Sequence, residues 1–297
     1  MSNTAYFLWV GCTLPDLARV SILSAAEAGF DTVLFTDQKQ DITHPALRVI
    51  DCREISLPWG PEDVRLKDED RPCYAAFSDL FRFALLARHD GWWFDCDTII
   101  LRPAQAFTAL LKPGQITVGR EDDETINGAV LGSLGHSHAR HLYDTAAKAF
   151  PVLERWGVVG PALITRCIAE GSVSAHVLSQ EYFYPIHHAD IAGIYRPEDS
   201  ARLQAEEPSW FCLSVWGEVL SRSGLKHLAP PEGSYLADLL ARHPELGGIG
   251  GDGVKLAAYL AENLHRLDEL ESGSVALRTL MRKAWFRLRL ARGKRDE

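Results

Sequence analysis

The chain has 297 residues, of which 46% are hydrophobic and 24% charged, and its formal net charge is −9. This size and composition are typical of a globular protein with one large domain and an appendage. The negative charge argues against general nucleic-acid binding, and no segment approaches the ~20 consecutive apolar residues of a membrane span. The six cysteines lack paired spacing, which predicts reduced thiols rather than disulfides or a zinc site.

The first fifty residues alternate between strand and helix patterns. Residues 6–10 form a short apolar run, residues 14–28 have helical periodicity, and residues 32–35 form a second apolar run. A third strand is predicted around Ile50. A strand, a helix and a strand in close succession predict a βαβ unit and therefore a parallel sheet.

The segment 75–88 predicts a helix, because apolar residues recur on one of its faces. Asp79 and Arg82 lie off that face. Being three residues apart, they share one side of the helix and can reach the same small object. Gly91 follows at a position typical of a left-handed helix C-terminus.

An aromatic run at residues 92–94 predicts a strand that ends on Asp95 and Asp97. Ligands bind at the carboxyl ends of strands in open α/β sheets. Two neighbouring carboxylates repel each other unless a cation lies between them. Magnesium and manganese are often held by one or two carboxylates together with substrate phosphates, so the pair predicts a metal-bound diphosphate.

These residues resemble a known family, the glycosyltransferases with a DXD sugar-binding region. The family includes the yeast initiating mannosyltransferase, the α-1,4-galactosyltransferase that makes globotriaosylceramide and, more distantly, the glucosyltransferase domain of clostridial toxins. The resemblance rests on Ser78-Asp79-x-x-Arg82 and Gly91-x-Trp93-x-Asp95-x-Asp97. It implies an α/β fold of the GT-A type, which is a Rossmann-like mixed sheet flanked by helices. It also implies a nucleotide-sugar donor, Mn²⁺ or Mg²⁺, and retention of the anomeric configuration.

The resemblance assigns roles to four residues of this stretch. Asp79 and Arg82 would hold hydroxyls of the donor sugar. Asp97 would bind the metal directly, and Asp95 would contact the ribose and the sugar, with a water-mediated link to the metal.

Further positions are assigned by shorter similarities. Trp9 matches a tryptophan that stacks on the base in the toxins, and its alternative is a core aromatic role. Asn127 matches a donor-side or acceptor-side contact, and its alternative is an ordinary turn residue. Ser214 and Trp216 match a Ser-x-Trp element in which serine supplies a metal oxygen. The toxins have a glutamate where this chain has Phe211, so the metal shell would be completed by water or by Glu206 or Glu207.

We divide the chain into a GT-A domain at residues 1–232 and a helical extension at residues 233–297. The last predicted helix, residues 274–292, has one apolar face and a basic remainder. It either docks on anionic lipid as a peripheral membrane contact or packs with its basic side in solvent. The start of the chain lacks the basic segment of a signal peptide, which predicts a cytoplasmic location, peripheral at the inner face of the membrane if that helix docks.

The sequence therefore predicts a metal-dependent retaining glycosyltransferase that moves a hexose from a UDP-sugar or GDP-sugar to a saccharide or lipid-linked acceptor, as in polysaccharide biosynthesis. One alternative is a haloacid-dehalogenase-like phosphatase with Asp95 as nucleophile, Asp97 as general acid and residues 250–253 as a magnesium loop. Another is a sugar-nucleotide-binding protein without turnover. The histidines of His136-x-His138-x-x-His141 lack a nearby Glu or Cys and do not favour a metal site.

Overall fold

The computed structural model of the chain describes residues 3–223 and 225–250. Its strands are β1 (Thr4–Trp9), β2 (Asp31–Thr36), β3 (Leu47–Asp51), β4 (Arg65–Leu66), β5 (Gly91–Phe94), β6 (Thr98–Ile100), β7 (Ile116–Arg120), β8 (Ile126–Ser133), β9 (Val152–Leu153), β10 (Ala175–Leu178) and β11 (Cys212–Ser214). Its helices are α1 (Asp16–Glu27), α2 (Tyr74–Leu86), α3 (Ala104–Leu110), α4 (Ser137–Ala146), α5 (Pro161–Ala169), α6 (Gln180–Phe183), α7 (Pro197–Glu206), α8 (Gly217–Ser223) and α9 (Tyr235–Arg242).

A seven-stranded mixed sheet has the order β10-β7-β8-β5-β1-β2-β3. Strand β8 runs antiparallel to both of its neighbours, and all other pairs are parallel. The predicted βαβ opening is confirmed, since β1 and β2 pair in parallel on either side of α1 in the chain. The sheet and its flanking helices confirm the predicted GT-A-type, Rossmann-like fold class.

The helices cover both faces of this sheet. Successive side chains of a strand point to opposite faces. In β1, Ala5 and Phe7 therefore pack with residues of α1 and α3, whereas Tyr6 and Leu8 pack in the cluster that contains residues of α2, α4 and α5. The result is three layers with an apolar core on each side of the sheet.

A small antiparallel sheet brings a late segment back to the middle of the chain. Strand β11 pairs with β6, which follows β5 closely, and Ser214 lies opposite Thr98. The backbone N–H of Leu101 also donates to the carbonyl of Phe211. This pairing carries residues 214–217 to the end of β5.

Two local features differ from the sequence-based expectation. Helix α2 ends at Leu86, and Gly91 opens β5 with a φ of 141° instead of closing the helix. One compact unit of the chain extends to Gly250, whereas the first domain was predicted to end at residue 232. This unit includes α9, whose Asp238 accepts hydrogen bonds from Ser200 and Gln204 of α7.

The helices predicted at 254–267 and 274–292 lie outside the described residues. Within the described ranges, no helix is both long enough and apolar enough to cross a bilayer.

We expect Phe107→Ala to destabilise the protein strongly. The Phe107 side chain is fully buried and its ring centroid lies within 5.3–6.2 Å of five other aromatic rings, those of Phe30, Trp92, Phe94, Phe183 and Phe211. Its removal leaves a cavity and should lower the free energy of unfolding by ~3–5 kcal/mol in denaturant titrations. Trp156→Ala is the control, because Trp156 is 63% exposed and its loss should change stability by less than ~0.5 kcal/mol. Equal effects of the two substitutions would contradict this description of the core.

Candidate active site

The order of the strands identifies one edge of the sheet as a binding crevice. From β1 the chain builds outward through β2 and β3, and then crosses to the other side of β1 to form β5. Ligands of open α/β sheets bind at the carboxyl ends of the strands where the order reverses in this way. Strand β1 ends at Trp9, and β5 is followed by Asp95. The Cys96 thiol donates to the Leu8 carbonyl at 3.2 Å, so the two strand ends are in contact.

Arg82 is buried at this edge, and several acceptors lie around its Nη2 atom. Its Nη2 donates to Asp95 Oδ1 at 2.9 Å and lies 3.3 Å from Asp79 Oδ1. Its guanidinium also lies over the Trp93 ring, 5.3 Å from the centroid, and the Trp93 indole N–H donates to the same Asp95 oxygen. Burial lowers the pKa of Arg82, but Asp95 and Asp79 outweigh it and hold that pKa above its ordinary value. Arg82 is therefore a charged group fixed by carboxylates from its own helix and from the end of β5.

Asp79 is 8% exposed, and the free-energy cost of its charge is only partly offset by Arg82. Burial raises its pKa to about 6, because the opposing effect of Arg82 is smaller and Asp95 adds repulsion. Gly160, the residue before α5, lies against the carboxylate. A Cβ at Gly160 would fall 2.7 Å from Cγ and Oδ1 of Asp79 and closer still to Oδ2. Only glycine leaves room for the carboxylate there.

Asp97 is held by the segment that β11 brings back. Its Oδ2 accepts from the Gly217 N–H at 2.7 Å, and its backbone carbonyl accepts from Val215. Burial, followed by repulsion from Asp95, raises the pKa of Asp97 to about 6, although the Gly217 hydrogen bond lowers it. Ser214 is 2% exposed in the same segment. The predicted DXD residues and Ser214 are thus close in the fold despite their distance in sequence.

The oxygen-rich set of Asp95, Asp97 and Ser214 fits a hard divalent cation. Carboxylate and hydroxyl oxygens are the ligands that magnesium and manganese prefer. The raised pKa of Asp97 indicates that its charged form is destabilised, chiefly by burial and then by repulsion from Asp95, although Lys226 opposes the shift. The neighbouring Thr98 hydroxyl is buried and has no hydrogen-bond partner within the described part of the chain. All three features are expected where a cation and its polar ligand bind.

Trp216 occupies a strained backbone position next to this set. Its φ is 51°, which is rare for a bulky residue and is often found at functional sites. Its indole N–H donates to the Ile186 carbonyl at 2.8 Å, and its ring packs against Tyr184 and His188. The strained turn places Gly217 on Asp97 on one side and supports the loop after α6 on the other.

Trp9 ends β1 beside a loop with defined hydrogen bonds. Asp37 Oδ1 accepts from the Gly11 N–H at 2.8 Å, and Gln40 donates to the Gly11 carbonyl at 2.7 Å. The Trp9 indole N–H is buried without a hydrogen-bond partner among residues 3–223 and 225–250. A buried donor without a partner carries a free-energy cost, and within the described residues the core Trp92 has such a donor as well.

Asn127 is the second residue of β8, and the next residue, Gly128, lies against Arg82. A Cβ at Gly128 would be 3.0 Å from Arg82 Nη1. The Asn127 side chain accepts from the Ala129 N–H and donates to Glu121 Oε2, both at 2.8 Å. It is therefore held by protein partners on both sides.

Sequence reasoning missed one group beside this edge, formed by Glu121, His187 and His188. Their ligand atoms lie within 4.8 Å of one another. The two histidines follow α6, and their consecutive positions are a signal for metal binding that is visible in the sequence. The glutamate belongs to the loop after β7, and only the fold brings it to them.

Some candidates do not reach the site. Glu207, one possible ligand of the metal shell, accepts hydrogen bonds from Tyr235 and Arg242 of α9. Glu206, another, pairs with Arg202 of its own helix. The ring nitrogens of His136 and His138 contact the backbone carbonyls of Leu86 and Gly114.

No protein-family model matches the chain, and no curated protein does. One solved structure with a similar arrangement is described as "PaToxG Glycosyltransferase". The two chains share 15% sequence identity with a TM-score of 0.40, and the match covers 57% of this chain and 68% of the other. At this level of similarity, the comparison assigns neither a substrate nor a site residue to this chain.

We expect Asp79→Asn to stabilise the ligand-free protein above neutral pH. The pKa of Asp79 is about 6 in the folded protein and ~3.9 in an unfolded chain, so the folded state loses stability as pH rises through this window. Asparagine cannot ionise. The variant should therefore match the wild type near pH ~4 and exceed it near pH ~8 by on the order of 1–3 kcal/mol in denaturant titrations.

Asp144→Asn is the matched control for this pH experiment. Asp144 forms an exposed ion pair with Arg140, so its loss should leave the pH dependence of the wild type unchanged. A lower stability of Asp79→Asn than of wild type near pH ~8 would contradict the assignment of an uncompensated carboxylate.

We expect Gly160→Ala to disturb the site. The added methyl group would overlap the Asp79 carboxylate, since a Cβ at Gly160 falls 2.7 Å from Cγ and Oδ1 of Asp79. The overlap should lower the free energy of unfolding by ~1–3 kcal/mol in denaturant titrations. Gly248→Ala provides the comparison, because a Cβ there meets no atom within 4 Å. Similar stabilities of the two variants would show that Asp79 can move away at no cost.

Proposed function

We propose that this protein is a metal-dependent, retaining glycosyltransferase that uses a nucleotide-diphosphate sugar. The observation that carries the proposal is the convergence of Asp79, Arg82, Asp95 and Asp97 at the switch point of the sheet. An arginine with two carboxylates can orient sugar hydroxyls. A further carboxylate with an uncompensated charge suits the cation that accompanies a diphosphate.

The donor sugar would lie over the Arg82 cluster. Both hydrogen bonds that Asp95 receives from Arg82 and Trp93 fall on Oδ1. Asp95 Oδ2 is thereby the oxygen that can accept from a ribose or sugar hydroxyl. Asp79 would accept from another sugar hydroxyl while Arg82 keeps both carboxylates in place. Trp9, at the end of β1, would contact the base, and its unsatisfied N–H would find a polar group of the nucleotide.

Asp97, Asp95 and Ser214 are the residues that would hold Mn²⁺ or Mg²⁺. When bound, the metal supplies positive charge that offsets the charge developing on the leaving diphosphate. The protein contributes a fixed ligand position, because the Gly217 N–H holds one oxygen of Asp97 and leaves the other for coordination. Trp216 would line the donor side of the same turn.

The identity of the substrates is inferred from the resemblance of the sequence to glycosyltransferases with a DXD sugar-binding region. We infer a UDP-sugar or GDP-sugar as donor and a saccharide or lipid-linked hydroxyl as acceptor, with the protein cytoplasmic, and peripheral at the inner face of the membrane if its last helix docks on lipid. The basic helix that would mediate this membrane contact lies outside the described residues. So do residues 251–253 of the magnesium loop required by the phosphatase alternative.

We expect donor and Mn²⁺ to stabilise the protein together. A ligand that binds only the folded state stabilises it by about 2.7 kcal/mol when its free concentration is 100 times Kd. A thermal-shift panel of UDP-sugars and GDP-sugars should therefore give one donor whose shift in Tm increases with Mn²⁺. Asp97→Asn should remove the part that depends on Mn²⁺, whereas Asp144→Asn should keep it. A panel in which no nucleotide sugar raises Tm would overturn the proposal.

The products of donor hydrolysis separate the three candidate functions. A glycosyltransferase slowly releases nucleoside diphosphate in the presence of Mn²⁺, a phosphatase releases inorganic phosphate, and a binding protein releases neither. The phosphatase alternative is disfavoured because it gives no role to Asp79 and Arg82, which lie in one cluster with Asp95. Release of phosphate that depends on Asp95 would reverse this choice.

A further inference from the structure

Glu121, His187 and His188 form a group that the proposed reaction does not use. It is the only set of three metal-ligating side chains with ligand atoms within 4.8 Å of one another in the part of the chain that the structure describes. All three side chains are partly accessible to solvent. The group lies beside the candidate active site, since the His188 ring packs on Trp216 with 5.6 Å between ring centroids.

The glutamate is oriented before any ligand arrives. The Asn127 Oδ1 accepts from the backbone N–H of Ala129, which can only donate, so the amide nitrogen of Asn127 must face Glu121. That nitrogen donates to Glu121 Oε2 at 2.8 Å, while Oε1 lies 3.2 Å from His188 Nδ1. A polar partner of this kind, which fixes a carboxylate from behind, is typical of metal-ligating acids.

The two histidines are held together on a short loop. Their ring centroids are 3.8 Å apart. The Ile186 carbonyl just before them accepts from the Trp216 indole N–H at 2.8 Å, which fixes the start of the loop. In the ligand-free protein only His188 is paired with Glu121. A cation at this position would be shared by all three side chains and would replace the direct contact between His188 and Glu121.

We propose that Glu121, His187 and His188 form a second metal site, which takes zinc or a similar transition metal. Two imidazoles and one carboxylate are ligands that zinc accepts, whereas magnesium and manganese prefer the oxygen set of Asp95, Asp97 and Ser214. Three protein ligands leave the fourth position of zinc for water or an oxygen of a bound ligand. The proposal does not rest on glycosyl transfer, because it requires only the three side chains and Asn127.

Calorimetric titration of the full-length protein with zinc tests the site. The chain should be free of any affinity tag and carry Cys12→Ser, because Cys12 is an exposed thiol that could bind zinc itself. We expect about one zinc ion per chain. Titration with Co²⁺ should give the visible absorption of a cobalt ion with nitrogen and oxygen ligands. Both measurements are made without donor, so they report on this site even if the protein transfers no sugar.

Substitutions at the ligands and elsewhere make the test specific. His188→Ala and Glu121→Gln should each weaken zinc binding by at least ~10-fold, and Asn127→Ala, which removes the support of Glu121, should weaken it by ~10–100-fold. His136→Ala and Asp144→Asn, which lie outside both proposed metal sites, should leave zinc binding unchanged, and circular dichroism checks that every variant is folded. Zinc binding that survives both His188→Ala and Glu121→Gln, or the absence of zinc binding to the folded wild type, would overturn the proposal.

Discussion

The burial of the Arg82 charge is the constraint on which the rest of the site depends. A guanidinium that is 4% exposed is stable only if opposite charge and hydrogen-bond acceptors surround it. Asp79 comes from the same helix and Asp95 from the end of β5, so their ion pairs fix α2 against the strand that leads into the site. The space around the cluster is filled by backbone, with Gly128 and Gly160 at positions where a side chain would displace Arg82 or Asp79.

Negative charge at this edge of the sheet exceeds what Arg82 can neutralise. Asp79 and Asp97 both have pKa values raised to about 6, chiefly by burial, so each is costly to keep ionised at neutral pH. Such groups lower the stability of the ligand-free fold. Buried carboxylates with raised pKa values are frequent at functional sites, where a bound ligand can offset this cost. The positive φ of Trp216 is a second local cost in the same region.

The late segment 212–217 connects two polar groups that differ in chemistry. On one side, the backbone N–H groups of Gly217 and Val215 donate to oxygens of Asp97, which belongs to the oxygen set with Asp95 and Ser214. On the other, Trp216 supports the loop that carries His187 and His188 toward Glu121. One strained turn thus organises an oxygen-only set and a nitrogen-containing set at neighbouring positions. Their different donor atoms predict different metal preferences, which allows each to be tested by itself.

The sequence determined what depends on neighbours along the chain. Periodicity predicted α2 and the βαβ opening, the three-residue spacing placed Asp79 and Arg82 on one side of a helix, and the apolar run before Asp95 predicted a strand end. The tertiary structure decided what depends on distant segments. Pairing of β11 with β6 brought Ser214 to Asp97, helix packing turned Glu207 away toward α9, and the fold joined Glu121 to His187 and His188. Local patterns report backbone preference and amphipathicity over a few residues, whereas these contacts are set by how the layers pack.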